Sequence, residues 1–415
     1  MANEIIEVFA DWKGFSKPEI LGFLRTDFLR GKEIFSFEYA DSWLRRSDTR
    51  VLDPDLQLFK GTHFLNSEKT NFGLFLDSSP DRWGKILMQR REQIIAKKEN
   101  RKSRLLTEKD FLLGVYDESR MGALRFKIAG KQEFESSNGQ FACPPWARLR
   151  ELEAASFKFE HGEDESELEP WFLLLLAPAS SLGGARPKAS VLDESGSLWI
   201  GKFPSKNDEF DSGAWEMLCA LVAERLTINM SAVKCEQLSS RGHTFLTKRF
   251  DRELNKRIHF ASAMTLLGRV DGDNFEAGAS YLELAEFIMR FGAQASKDLE
   301  ELWRRIVFYI AVGNTDDHLR NHGFLLGQDG WILSPCYDVN PNPRPFGLSL
   351  AIDETNNSLD FDLALSVAEF FRLSHKDAKK IIETTKKIVS QWPVLAKELG
   401  LKKTETELME GAFKR

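Results

Sequence analysis

Near the start of the chain, hydrophobic positions fall in short runs between turn residues. EIIEVFADW and EIFSFEY therefore read as strands. The spacing then lengthens to that of a helix in SSPDRWGKILMQRREQIIAKK, where Ser79 is placed as the cap, Pro80 at the first helical position and Asp81 in the first turn. The basic tail of this helix, QRREQIIAKKENRKSR, reads as a solvated face.

Residues 131–170 are polar and acidic, ending in HGEDESELEP, and are expected to form an exposed connection. SVLDESGSLWIGKFP predicts two strands joined by a glycine-containing turn, and DSGAWEMLCALVAERL an amphipathic helix. From about residue 253 most segments have helical periodicity, including YLELAEFIMRFG, LEELWRRIVFYIAV and HKDAKKIIETTKKIVSQW. The pattern predicts an α+β protein in three parts: an N-terminal α/β subdomain over 1–145, a small lobe of strands and one helix over 146–252, and a mainly helical lobe over 253–415.

A length of 415 residues suits two or three domains, and 42% hydrophobic with 29% charged residues is ordinary for a globular chain. The formal net charge of -6 disfavours unaided binding to DNA. Cys143, Cys219, Cys235 and Cys336 have no CxxC spacing, which excludes a zinc-knuckle pattern and fits a reducing cytoplasm. The first residues, MANEIIEVFADWKGF, lack an export signal, and the longest apolar run, WFLLLLAP, is too short to span a membrane.

The densest polar stretch is VGNTDDHLRNHGFLL, residues 312–326, with hydrophobic residues on both sides. Asp316 and Asn321 have the D-x-x-x-x-N spacing of phosphoryl-transfer loops, where a carboxylate meets the nucleophilic hydroxyl and an amide oxygen coordinates Mg²⁺. Asp338, in the strand-like segment SPCYDVNP, is a second candidate metal ligand; a turn or capping aspartate is the plainer account. SSLGGARPKAS could bring backbone N–H groups to phosphates or be a plain turn. Lys202 ends the following strand and Glu216 lies early in the next helix. In kinases such a lysine meets phosphates while such a glutamate holds it. The order of these features carries more weight than any one of them.

With SSLGGARPKAS, IGKFP, TKRFDR, GNTDDHLRN and SPCYDV in this order, and SSPDRWG and YDESRMGALRF before them, the chain resembles the HipA-family serine/threonine kinases. These are toxins of HipBA-type toxin–antitoxin systems. The resemblance implies a two-lobed protein-kinase-like fold of HipA type that uses ATP and Mg²⁺. It makes Asp316 the catalytic base, Asn321 and Asp338 the metal ligands, and Lys202, supported by Glu216, the phosphate contact. Gly183, Gly184, Ala185, Arg186, Pro187 and Lys188 would cover the phosphates, and Lys248, Arg249 and Phe250 would form the adenine hinge. His318 and Tyr337 would line the nucleotide site. Ser181 matches the family's autophosphorylated serine, with Ser180 directly before it. The partners implied are a HipB-like helix-turn-helix antitoxin, through which the protein would meet DNA, and a protein substrate such as an aminoacyl-tRNA synthetase.

Other readings of the same residues are a small-molecule kinase of similar fold and a catalytically silent kinase fold that binds an antitoxin. His318 and His322 stand four apart as in some zinc sites, but Leu319 replaces the glutamate that a zinc hydrolase needs.

Overall fold

Alternation in EIIEVFA turns Ile6, Val8 and Ala10 inward, and the strand Glu4–Ala10 lies between two antiparallel neighbours. The structure, a computed structural model, describes residues 4–65, 68–137, 143–162, 175, 184, 186–253 and 256–415. It divides into two compact units: residues 1–206 with 251–261, and residues 207–250 with 262–415.

In the first unit an antiparallel sheet runs in the order Thr62–Phe64, Lys32–Tyr39, Glu19–Leu29, Glu4–Ala10, Leu124–Ile128. Glu19–Leu29 and Lys32–Tyr39 are joined by Arg30 and Gly31 alone, both at positive φ (50° and 80°), as the twist of a two-residue hairpin requires. The next major helix is Arg82–Lys98. Its cap is Asp81, whose carboxylate accepts from Gly84 N at 2.8 Å, whereas the Ser79 hydroxyl donates to Phe75 O. The expected start was therefore two residues early: the carboxylate, not the hydroxyl, takes the exposed N–H. The tail is partly neutralised, with Arg101 on Glu92 and Glu99 and Arg104 on Asp110.

The stretch expected to be an exposed connection contains the helix Leu149–His161, which buries Leu149, Leu152 and Ala155 on one face. Spacing of three residues within a polar segment is enough to seat it. Lys188–Leu192 and Leu198–Lys202 form the predicted hairpin.

In the second unit the helix Ser212–Arg225 precedes the hairpin Val233–Ser239/Gly242–Lys248. It is buried on most sides, from Gly213 through Trp215, Glu216 and Leu218 to Ala223, so it is a core helix and not the amphipathic helix expected. Tyr281–Phe291, Ala295–Val312 and His375–Val389 match the predicted helices. Among the described residues no helix is long and apolar enough to cross a membrane.

Candidate active site

The helix Ala295–Val312 is buried without interruption from Arg305 to its end, so the chain leaves it inside the core. Gly313, at φ +64°, closes the helix in the left-handed conformation. The following residues run without regular structure to a single 3₁₀ turn, Leu319–Asn321, and enter the strand Gly323–Leu326. The crowded polar stretch is thus a loop between a buried helix and a strand, as its pattern implied.

Most of its polar groups hold the loop in place. Asn314 Oδ1 accepts from Asn340 N, Asn342 Nδ2 donates to Thr315 Oγ1, and Ser349 Oγ donates to Thr315 O. Asp317 is buried, accepting from Tyr281 OH at 2.5 Å and Ser349 N at 2.6 Å. Burial raises its carboxyl to about 6 against the opposing effect of those bonds. His322 is also buried, which lowers it to about 3, so the neutral ring donates through Nε2 to Asp317 O at 3.2 Å. Spacing alone gave Asp317 and His322 no role; what they do is anchor the loop. The zinc arrangement finds no support, because residues 318–322 are not α-helical and His322 turns its Nε2 to a carbonyl.

Asp316 and Asn321 are placed differently from these. The Asp316 side chain is 71% exposed, with His318 Nε2 at 3.6 Å. Asn321 Nδ2 donates to Asp316 O at 2.6 Å, which fixes the amide plane, while Asn321 Oδ1 is buried with no hydrogen-bond partner. A buried acceptor without a donor costs on the order of 1–3 kcal/mol, and such a site calls for an explanation such as an ion. A neutral amide oxygen is a hard donor of the kind Mg²⁺ takes.

SPCYDVNP is not a strand: Cys336 makes one isolated bridge to Met230, and the chain is otherwise irregular. The reason is Asp338, whose φ of +57° breaks extended backbone. Asn340 Nδ2 lies 3.3 Å from Asp338 Oδ1, and Tyr337 OH donates to Arg320 O, tying this segment to the residue before Asn321. The Tyr337 ring lies 5.5 Å from that of Phe250, so two residues expected at the nucleotide come together. Lys248 is exposed and Arg249 buried.

In the first unit, Lys202 is buried at the end of its strand, in register with Lys188. Lys188 forms a buried ion pair with Asp81 at 2.9 Å, and Trp83 Nε1 donates to Lys188 O. The helix start in SSPDRWG therefore anchors the strand that follows the glycine-rich segment. In that segment Gly184 has φ +95° and Pro187 O accepts from Phe203 N. Ser180, Ser181, Gly183 and Ala185 lie outside the described residues. Glu216, in the second unit, is buried within its helix.

YDESRMGALRF meets the last two residues of TKRFDR in the first unit. Asp251 accepts from Gly122 N, and Arg252 donates to Gly122 O and Arg120 O. Arg120 is fully buried and donates to Ser78 O, Leu112 O and Val115 O. The segment after the hinge is a structural clasp, a role that the motif alone did not disclose.

A model of the HipA-like C-terminal domain matches residues 180–392, just over half of the chain. The chain belongs to the HipA family. Among curated proteins, a Haemophilus influenzae protein named "Putative kinase" is 32% identical over 117 residues, 26% of this chain and 34% of that protein. A Sinorhizobium fredii protein, "Putative kinase Y4mE", is 28% identical over 120 residues, 27% of this chain and 29% of that one. The matches span about a third of the length of these relatives. Among solved structures, HipA in the Shewanella oneidensis MR-1 complex of HipA, HipB and operator DNA aligns with a TM-score of 0.64 at 15% identity, covering 98% of this chain and 94% of that chain. The α+β fold is therefore that of HipA, as the resemblance implied.

Proposed function

We propose that this HipA-family chain is an ATP- and Mg²⁺-dependent serine/threonine protein kinase, the toxin of a bacterial toxin–antitoxin pair, acting in the cytoplasm. The observation that carries the reading is the pairing of exposed Asp316 with Asn321, whose amide is bonded to the Asp316 carbonyl while its Oδ1 is buried without a partner. Asp316 is the general base: it accepts the proton of the acceptor hydroxyl as that oxygen bonds to the γ-phosphorus and the bond to the bridging oxygen of ADP breaks. Asn321 and Asp338 would hold Mg²⁺, which when bound neutralises charge on the phosphates. By the family resemblance, Lys202 contacts the phosphates with Glu216 as its support and residues 183–187 cover them, while Lys188 is held by Asp81. Lys248, Arg249 and Phe250 hold adenine by their backbone, with Tyr337 and His318 beside the nucleotide.

Autophosphorylation falls on Ser181 or its neighbour Ser180, adding roughly two negative charges to a segment next to anionic ATP. The known complex of HipA, HipB and operator DNA supports a HipB-like antitoxin partner, and the acidic chain meets DNA through it. The acceptor protein belongs to translation, with an aminoacyl-tRNA synthetase the expected class.

The test supplies the purified chain with γ-labelled ATP and a cell lysate. Label in the chain and in a discrete protein band, requiring Mg²⁺ and reduced about tenfold or more by Asn321→Ala, is expected. Label confined to small molecules would replace the reading with a small-molecule kinase. No label with or without Mg²⁺ would leave a silent binding partner.

A further inference from the structure

The helix Lys403–Phe413 touches several parts of the second unit that the phosphotransfer reading uses. At its first turn, Glu405 Oε2 accepts from Asp211 N at 3.1 Å and from Trp215 Nε1 at 3.3 Å. Asp211 caps the helix Ser212–Arg225, and Trp215 directly precedes Glu216. Trp215 is fully buried, with its ring near those of Trp392 and Phe413; the last two stack at 4.6 Å. One carboxylate thus fixes both the start and the rotation of the helix that presents Glu216.

At its other end the helix lies against the root of the loop that bears Asp316. A Cβ added to Gly313 would stand 2.7 Å from Ala412 O and 3.0 Å from Ala412 Cα, and one added to Gly411 would stand 2.5 Å from Pro343 O. Gly313 O in turn accepts from Asn342 N, and Asn342 Nδ2 bonds Thr315. Arg415 Nη1 donates to Ala412 O and lies 3.4 Å from Ile310 O, at the end of Ala295–Val312. Backbones this close leave little freedom to slide, and a helix is stiff over the roughly 10 Å between Glu405 and Ala412.

We propose that the helix Lys403–Phe413 is a spacer setting the Glu216 helix against the Asp316 loop, with Glu405 as its positioning residue. The inference rests on the phosphotransfer reading for its catalytic consequence. Glu405 touches no reacting atom. It acts through Asp211 and Trp215, and small errors of placement weigh heavily on transfer rate.

The test compares Glu405→Ala with Glu405→Gln, whose amide oxygen still accepts a hydrogen bond. In Glu405→Ala, kcat for ATP turnover should fall about tenfold with KM for ATP changed less than about threefold, and Glu405→Gln should recover most of it. Amide exchange over residues 313–318 should quicken in Glu405→Ala, a readout that needs no catalysis. Gly411→Ala, which presses on Pro343 O at the far end, should give the same kcat loss if Glu405→Ala does not fold. Unchanged loop exchange in the folded variants overturns the spacer even if the chain is a kinase, as does activity that falls only in step with the folded fraction. Wild-type protein that turns over no ATP yet shows the exchange effect would overturn the phosphotransfer reading and keep the spacer.

Discussion

Two polar clusters set deep in the chain are built on opposite terms. In the first unit Asp117 is buried and meets cations: Arg125 at 2.6 Å and Arg257 at 3.2 Å. In the second unit the buried Asp317 meets neutral donors, a tyrosine hydroxyl and a backbone N–H, and its neighbour Asp316 faces solvent. The first arrangement neutralises charge within the fold. The second holds a loop without neutralising it, and leaves the amide oxygen of Asn321 without a hydrogen-bond partner. Polar density alone does not mark a site; how the groups are partnered does.

The sharpest way to break this contrast is Asp316→Ala. Phosphoryl transfer should fall on the order of a thousandfold while thermal stability is unchanged, since the side chain is exposed. Near-normal turnover in a transfer assay would remove the distinction between the clusters. The converse change is Arg120→Ala. It strips three buried carbonyls of their donor and should destabilise the first unit by about 3 kcal/mol, read as a lowered urea midpoint. A loss below about 0.5 kcal/mol would show that the clasp is decorative.

A subtler difference lies in pH. Asp317 is raised to about 6 in the folded chain, above an ordinary carboxyl near 4. Below both values the proton is bound in either state. As pH rises from about 4 to 6 the unfolded chain ionises first, so this group's contribution to stability is lost over that window. Asp317→Asn should remove that decline, seen as the difference between wild-type and variant urea unfolding at pH 4, 5, 6 and 7. Parallel curves would mean that Asp317 ionises as freely in the fold as outside it.

Much of this organisation was legible in the sequence because it rests on local physics. Helices at 281–291, 295–312 and 375–389 follow from apolar spacing, and the 312–326 stretch was readable as a loop because hydrophobic runs flank it. What escaped depended on distant partners or on backbone conformation. Asp81 and Ser79 are equally good caps until Lys188, over a hundred residues on, pairs with Asp81. Asp338 looked strand-borne because nothing local announces φ +57°. Asp317 and His322 had no role because Tyr281 and Ser349, which give Asp317 its meaning, lie some thirty residues away on either side. The proposed site residues were singled out by their order along the chain, a signal that holds no distances.

The clasp made by the segment after residue 250 also bears on how the chain is made. Its first unit closes with residues 251–261, after residues 207–250 of the second have been made. A ribosome delivering this chain has already released the N-terminal sheet when Asp117 still lacks Arg257, and Gly122 lacks Asp251. The N-terminal unit cannot complete its fold ahead of the rest, as successive domains usually do. The two units are therefore interleaved in time as well as in sequence, and cutting the chain after residue 206 would leave the first with a buried carboxylate stripped of one of its cations.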